Sequence, residues 1–169
     1  MANAFSAWLT ADRQRSLAGG ATGCGVGLLV LALLFLVHGP PSIMGGVAWA
    51  LLVPAVLIFL FSAATMAART HARAFDPLAD QETRAVRVCA RALTNTLEQS
   101  AVFAPATVVI ALNSGPALRE LVPALAVTFL LARLVYGIGY LMAAQARAPG
   151  MGATLAVNIV ALVTALVAA

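Results

Sequence analysis

Five apolar stretches separated by short polar breaks leave this chain one class of fold, an all-α membrane protein built as an antiparallel bundle of transmembrane helices. They run from about Leu17 to Val37, Gly46 to Ala68, Glu82 or Arg84 to Leu112, Ala117 to Ala146, and Met151 to Ala169. A bilayer core of ~30 Å is crossed by about 20 helical residues at ~1.5 Å each, so every stretch is long enough. Charge agrees with length: 9% of residues are charged, against about 25% in a soluble domain. The breaks are His38-Gly39-Pro40-Pro41, the run from Arg69 to Thr83, Asn113-Ser114-Gly115-Pro116, and Ala148-Pro149-Gly150. Proline and glycine in three of them end one helix and turn the chain into the next.

The first stretch is a span and not a signal peptide, because its apolar run is too long and no small-x-small cleavage site precedes His38. Ahead of it, Thr10 is placed to cap a short turn through Ala11-Asp12-Arg13, and Trp8 suits the headgroup layer. Gly19, Gly23 and Gly27 repeat every four residues, the small-residue spacing that lets helices approach closely; a glycine-softened helix start is the plain alternative. Pro54 is expected to kink the second span, and the first two turns of the third are expected to project from the bilayer.

All ten basic residues are arginine. With the N-terminus in the cytoplasm, Arg13, Arg15, Arg69, Arg73, Arg84, Arg87, Arg91 and Arg147 fall on that side, Arg119 falls opposite, and Arg133 lies within a span. This positive-inside bias puts the C-terminus across the membrane. The arginine bias and abundant alanine suggest a GC-rich bacterial genome, hence an inner membrane. The arginines gather into no solvated basic face, so nucleic acid is not an expected partner. Cys24 and Cys89 lack paired spacing, and His38 and His71 are separated by a full span, so neither a disulfide nor a metal or haem site is expected.

Polar residues inside such spans mark function. On a third-span helix Arg91, Asn95 and Glu98 fall at i, i+4 and i+7, placing a cation, an amide and a carboxylate on one face. Arg133, Tyr136, Tyr140 and Arg147 form a second stripe at i, i+3, i+7 and i+14. Ionisable groups at membrane depth cost at least ~2.5 kcal/mol each and normally face a bundle interior. The tight turn at 113–116 makes the two spans antiparallel, with Glu98 level with about residue 131, Asn95 with about 134 and Arg91 with about 138. Arg133 is thereby set beside Glu98 and Asn95, with Tyr136 and Tyr140 toward the cytoplasmic mouth. Two readings stay open: Glu98 and Arg133 staple the bundle, or the two stripes bind an anionic polar ligand.

Arg91-Ala92-x-x-Asn95-x-x-Glu98, followed by Ala132-Arg133-Leu134-Val135-Tyr136-x-x-Gly139-Tyr140 and Arg147-Ala148-Pro149-Gly150, resembles the MAPEG family. The name denotes membrane-associated proteins in eicosanoid and glutathione metabolism. The resemblance covers about residues 46–169, a four-helix membrane domain, and leaves residues 1–45 as a cytoplasmic segment and an additional helix. It implies a homotrimer binding glutathione as co-substrate near the cytoplasmic side. Arg91, Asn95, Glu98, Tyr136 and Tyr140 match the family's glutathione-contacting positions, Arg133 accompanies them, and Arg73 matches a basic residue at the end of the family's first span. Arg147 matches the arginine that stabilises the glutathione thiolate in the leukotriene-synthase branch. Thr94, Gln99 and Ser100 depart from the eicosanoid enzymes, so an eicosanoid substrate is not implied.

Two functions follow from that resemblance. One is a glutathione-dependent transferase or peroxidase acting on hydrophobic electrophiles, with Arg147 holding the thiolate and Tyr136 or Tyr140 donating a hydroxyl. The other is a non-catalytic subunit of a larger membrane assembly, recruited through the glycine face of the N-terminal helix.

Overall fold

A computed structural model describes residues 11–37, 39, 41–74 and 82–169, and every regular element in them is helical. Helix α1 spans Ala11–Val37, α2 Ile43–Ala72, α3 Arg84–Asn113, α4 Pro116–Arg119, α5 Leu121–Met142 and α6 Ala148–Ala168. The five long helices fall on the five expected segments, and each shifted boundary has a local cause. The separate turn expected over Ala11–Arg13 is the start of α1 itself, since nothing in that stretch breaks a helix. Its expected cap, Thr10, lies outside the described residues, as do Trp8, His38, Pro40 and Asp76-Pro77.

Helix α2 starts at a cap in which Ser42 Oγ accepts from the Gly45 N–H at 3.0 Å. It runs one turn past its expected end and stops where Arg73 turns left-handed, φ 53°, its N–H directed at the Arg69 and Thr70 carbonyls. Thr83 caps α3 in the same manner through the Val86 N–H. Helix α5 ends at Met142, a turn short of Ala146, because Ala143 is extended at φ −155°, ψ 154°. Helix α6 begins at Ala148, earlier than Met151, since a proline in the first helical turn gives up no intrahelical hydrogen bond. Neither Pro54 in α2 nor Pro105 in α3 ends its helix.

Gln14–Val37, Ile43–Ala72, Pro116–Met142 and Ala148–Ala168 are each long and apolar enough to cross a membrane. Helix α3 has the length but is too polar to qualify on composition, carrying Arg84, Arg87, Arg91 and Glu98. It is enclosed instead: α2 packs along it, and α5 and α6 also touch it. Phe103 of α3 stacks on Phe129 of α5 with ring centroids 4.2 Å apart and planes at 18°. Leu57, Ile110, Leu125 and Val157 are fully buried around that pair.

Helix α1 lies against α6 and touches α5. The glycine repeat makes that approach: a Cβ on Gly23 would overlap the Pro149 carbonyl, and one on Gly27 would sit 2.9 Å from Ala153 Cβ. Helix α6 answers with Gly152, whose own Cβ would overlap the Gly20 carbonyl. The thiol of Cys24 donates to the Gly152 carbonyl at 2.9 Å in the same seam. The glycine face expected to recruit another protein is therefore occupied by the chain's own last helix.

Candidate functional site

Arg133 is the largest fully buried side chain, at 0% exposure. Its Nη1 donates to Asn95 Oδ1 at 3.1 Å and its Nη2 to Thr96 Oγ1 at 2.8 Å. The antiparallel register expected from the turn at 113–116 thus brings Arg133 to Asn95. The expected contact with Glu98 is indirect. Asn95 stands between them, donating its Nδ2 to Glu98 Oε2 at 3.2 Å while its carbonyl accepts from Arg133. The cause is helical phase: Asn95 and Thr96 are buried against α5, whereas Glu98 lies at the exposed edge of the same helix. A buried guanidinium without a carboxylate needs neutral acceptors and a π face, and it has both.

That π face starts a ladder. The Arg133 guanidinium carbon lies 4.1 Å from the centroid of the Tyr136 ring, and Tyr136 meets Tyr140 at 5.9 Å, tilted by 52°. Arg147 closes it, 4.6 Å above the Tyr140 ring. Cation, aromatic, aromatic and cation thus run along α5 to the end of the bundle. Arg147 comes from beyond α5, so the chain must fold tightly back: a Cβ on Gly139 would overlap the Ala146 carbonyl, and one on Gly150 would overlap the Tyr136 nitrogen. Tyr136 is buried at 1% exposure, while Tyr140 and Arg147 are half-buried and face the opening.

The remaining expected residues sit apart from the ladder. Arg91 and Arg73 are exposed, and among the described residues no hydrogen bond or ion pair joins them to it. The ion pair in this region joins Arg69 to Glu82 at 2.6 Å, tying the end of α2 to the start of α3. Arg87 donates to the Glu82 carbonyl at 2.6 Å, and Arg84 reaches the Leu141 carbonyl at 3.4 Å. His71 is exposed. Among the described residues no group of three or more His, Cys, Asp or Glu side chains converges to hold a metal.

Three polar residues escaped the reading of the sequence. Thr96 holds Arg133, and Asn158 of α6 donates to Gln99 Oε1 at 2.8 Å, pairing two amides deep in the bundle. Asn158 carried a signal, an amide in an otherwise apolar turn, whereas Thr96 and Gln99 lie among other polar residues of α3. The sequence did not show that α1 would wall a cavity of about 440 Å³ that Gln99, Arg133 and Arg147 also line.

Fold and site together define an integral membrane protein of the helical-bundle class, with a buried cation held by an amide and a hydroxyl, and a second cation at the mouth. The family model of the MAPEG family matches residues 47–167, and the chain belongs to that family. The match takes in helices α2 to α6 and leaves α1 outside. Members of the family use glutathione as substrate or cofactor. Neither a curated protein nor a solved structure matches the chain.

Proposed function

We propose that this protein is a glutathione-dependent membrane transferase or peroxidase that conjugates or reduces hydrophobic electrophiles. The observation that carries the reading is the Arg133–Tyr136–Tyr140–Arg147 ladder, which ends in an accessible cation and phenol beside the Asn95–Glu98 pair. These residues suit a peptide thiol. Glu98 has the charge to bind its amino group, Arg91 to bind a carboxylate, and Asn95 fixes the Glu98 carboxylate by hydrogen bond. Arg73, at the left-handed end of α2, is a further candidate for a carboxylate.

A free thiol titrates near pH 8.5, and a fixed cation close to the sulfur lowers that value and raises the thiolate fraction. Arg147 supplies the cation. Tyr140, the accessible phenol of the two, is the hydroxyl donor, and buried Tyr136 holds Arg133 and the ring of Tyr140 in place. The thiolate then forms a C–S bond with an electrophile drawn from the lipid phase, expelling its leaving group or giving an adduct that takes up a proton. With a lipid hydroperoxide it attacks the terminal oxygen, releasing the alcohol and a sulfenic acid that a second glutathione converts to the disulfide and water.

The exposed face of α3 supports a homotrimer. Arg91, Thr94 and Glu98 are exposed on a helix that the rest of the bundle places at membrane depth, and copies of the chain covering that face remove the charges from lipid. The distribution of arginines supports a cytoplasmic N-terminus in a bacterial inner membrane. A non-catalytic subunit recruited through α1 loses its main support, because the glycine face is already buried on α6.

Calorimetry with detergent-purified protein and glutathione, with thiolate absorbance followed near neutral pH, tests the reading. Wild type is expected to bind, Arg91→Ala to lose binding, and Arg147→Ala to bind without forming thiolate. No binding by folded wild type overturns it.

A further inference from the structure

The cavity beside the ladder has an architecture that peptide-thiol recognition does not explain. It is a groove between α1 and Gln99 of α3, floored by α6. Leu17 and Ala21 on one wall and Met151 and Leu155 on the floor make it largely apolar, and its charged lining residues are Arg133 and Arg147, with no carboxylate among the described ones. Arg133 Nε is buried and has no hydrogen-bond partner. Gln99 gives its carbonyl to Asn158, which leaves its amide N–H groups to donate. Arg147 precedes α6 and lines the groove; the helix start itself adds little, since the Ala148 N–H is bonded to the Gln145 carbonyl and Pro149 has no N–H to give.

Donors at two depths, a cation at the helix start and an apolar wall alongside describe an amphiphile, and a small soluble anion would leave that wall wet. About 440 Å³ lies within the range of ligand sites, ~300–1,000 Å³. We infer that the groove holds an anionic phospholipid of the surrounding bilayer. Its phosphate meets Arg147, an ester carbonyl accepts from Arg133 Nε–H or the Gln99 amide, and one acyl chain lies along Leu17, Ala21, Met151 and Leu155. The groove is closed on one side by α1, which lies outside the residues matched by the family, while Gln99, Arg133, Arg147 and the α6 floor lie within them. It requires no bound glutathione, and because Arg147 also belongs to the proposed thiolate site, the test leaves that residue untouched.

The test is native mass spectrometry of the full chain in detergent, offered equal phosphatidylglycerol and phosphatidylcholine. Wild type is expected to retain phosphatidylglycerol over phosphatidylcholine by about tenfold, because both lipids offer the phosphate but only phosphatidylcholine brings a quaternary ammonium beside the Arg147 and Arg133 cations. Gly20→Leu fills the groove without disturbing the helix seam, since a Cβ there has only the Ala148 carbonyl at 4.0 Å, and it is expected to abolish the preference. Ala21→Trp, at an exposed position on the same wall, is the second blocking variant. Gly25→Leu adds the same bulk where no atom lies within 4 Å, and should retain the lipid as wild type does. Equal retention of the two lipids by wild type, or an unchanged preference in both blocking variants, would overturn the inference.

Discussion

Two seams of this bundle are closed by opposite means. Between α3 and α5 a buried guanidinium spends its donors on an amide and a hydroxyl, so the contact is polar and long-armed. Along the first half of α1 glycines let its backbone lie on that of α6, and a thiol donates to a carbonyl; only further along does Leu31 bury a side chain in the core. In lipid there is no hydrophobic drive between helices, leaving packing and hydrogen bonds to hold them. The polar seam tolerates volume but not a lost partner. The glycine seam tolerates a lost partner but no volume.

Asn95→Leu attacks the polar seam and carries the largest expected effect. It keeps the number of side-chain heavy atoms but removes an acceptor from a fully buried cation, and leaving a charged donor unsatisfied costs about 3 kcal/mol or more. Denaturant unfolding in detergent micelles measures it, and a loss below that of the glycine-seam variant would dissolve the contrast. Gly23→Leu attacks the other seam, with an expected cost of about 1–3 kcal/mol, the range for overpacking. Because the main contacts of α1 are with α6 and α5, the variant should release α1 to proteolysis while α2 to α6 stay protected. Cys24→Ala sharpens the comparison with the smallest change. It deletes the thiol donor without adding bulk and should cost no more than about 0.5–1 kcal/mol. A Cys24→Ala loss equal to that of Gly23→Leu would mean that the hydrogen bond, and not the close approach, closes the seam.

Much of the fold was legible in the sequence. Apolar runs of spanning length, punctuated by proline and glycine, specify helices whatever their partners, and the turn at 113–116 places Arg133 level with Asn95 before any coordinate is known. The ladder residues were legible for the same reason, since charges and phenols at i, i+3 and i+7 share a face. Less legible was the split on α3. Arg91, Asn95 and Glu98 share a stripe, but Asn95 is buried whereas Arg91 and Glu98 are exposed. At about 100° per residue Asn95 stands ~40° around the helix from Arg91 and ~60° from Glu98, so a stripe this wide is split by the rotation of α3, which its packing against α2 and α5 sets. The ends of α5 and α6 were displaced by a turn because the extended residue at Ala143 carries no mark of its own in the sequence.

The sequence by itself determined that this chain is a membrane helix bundle, the order of its helices, and which polar residues fall on shared faces, because period, length and charge are local properties. Tertiary structure decided who meets whom. It gave Arg133 to Asn95 and Thr96 in place of Glu98, folded Arg147 back onto Tyr140, and laid the glycine face of α1 on α6. Each of these depends on the distance between helices far apart in the chain. A glycine repeat states only that some backbone can come close, and packing chooses which.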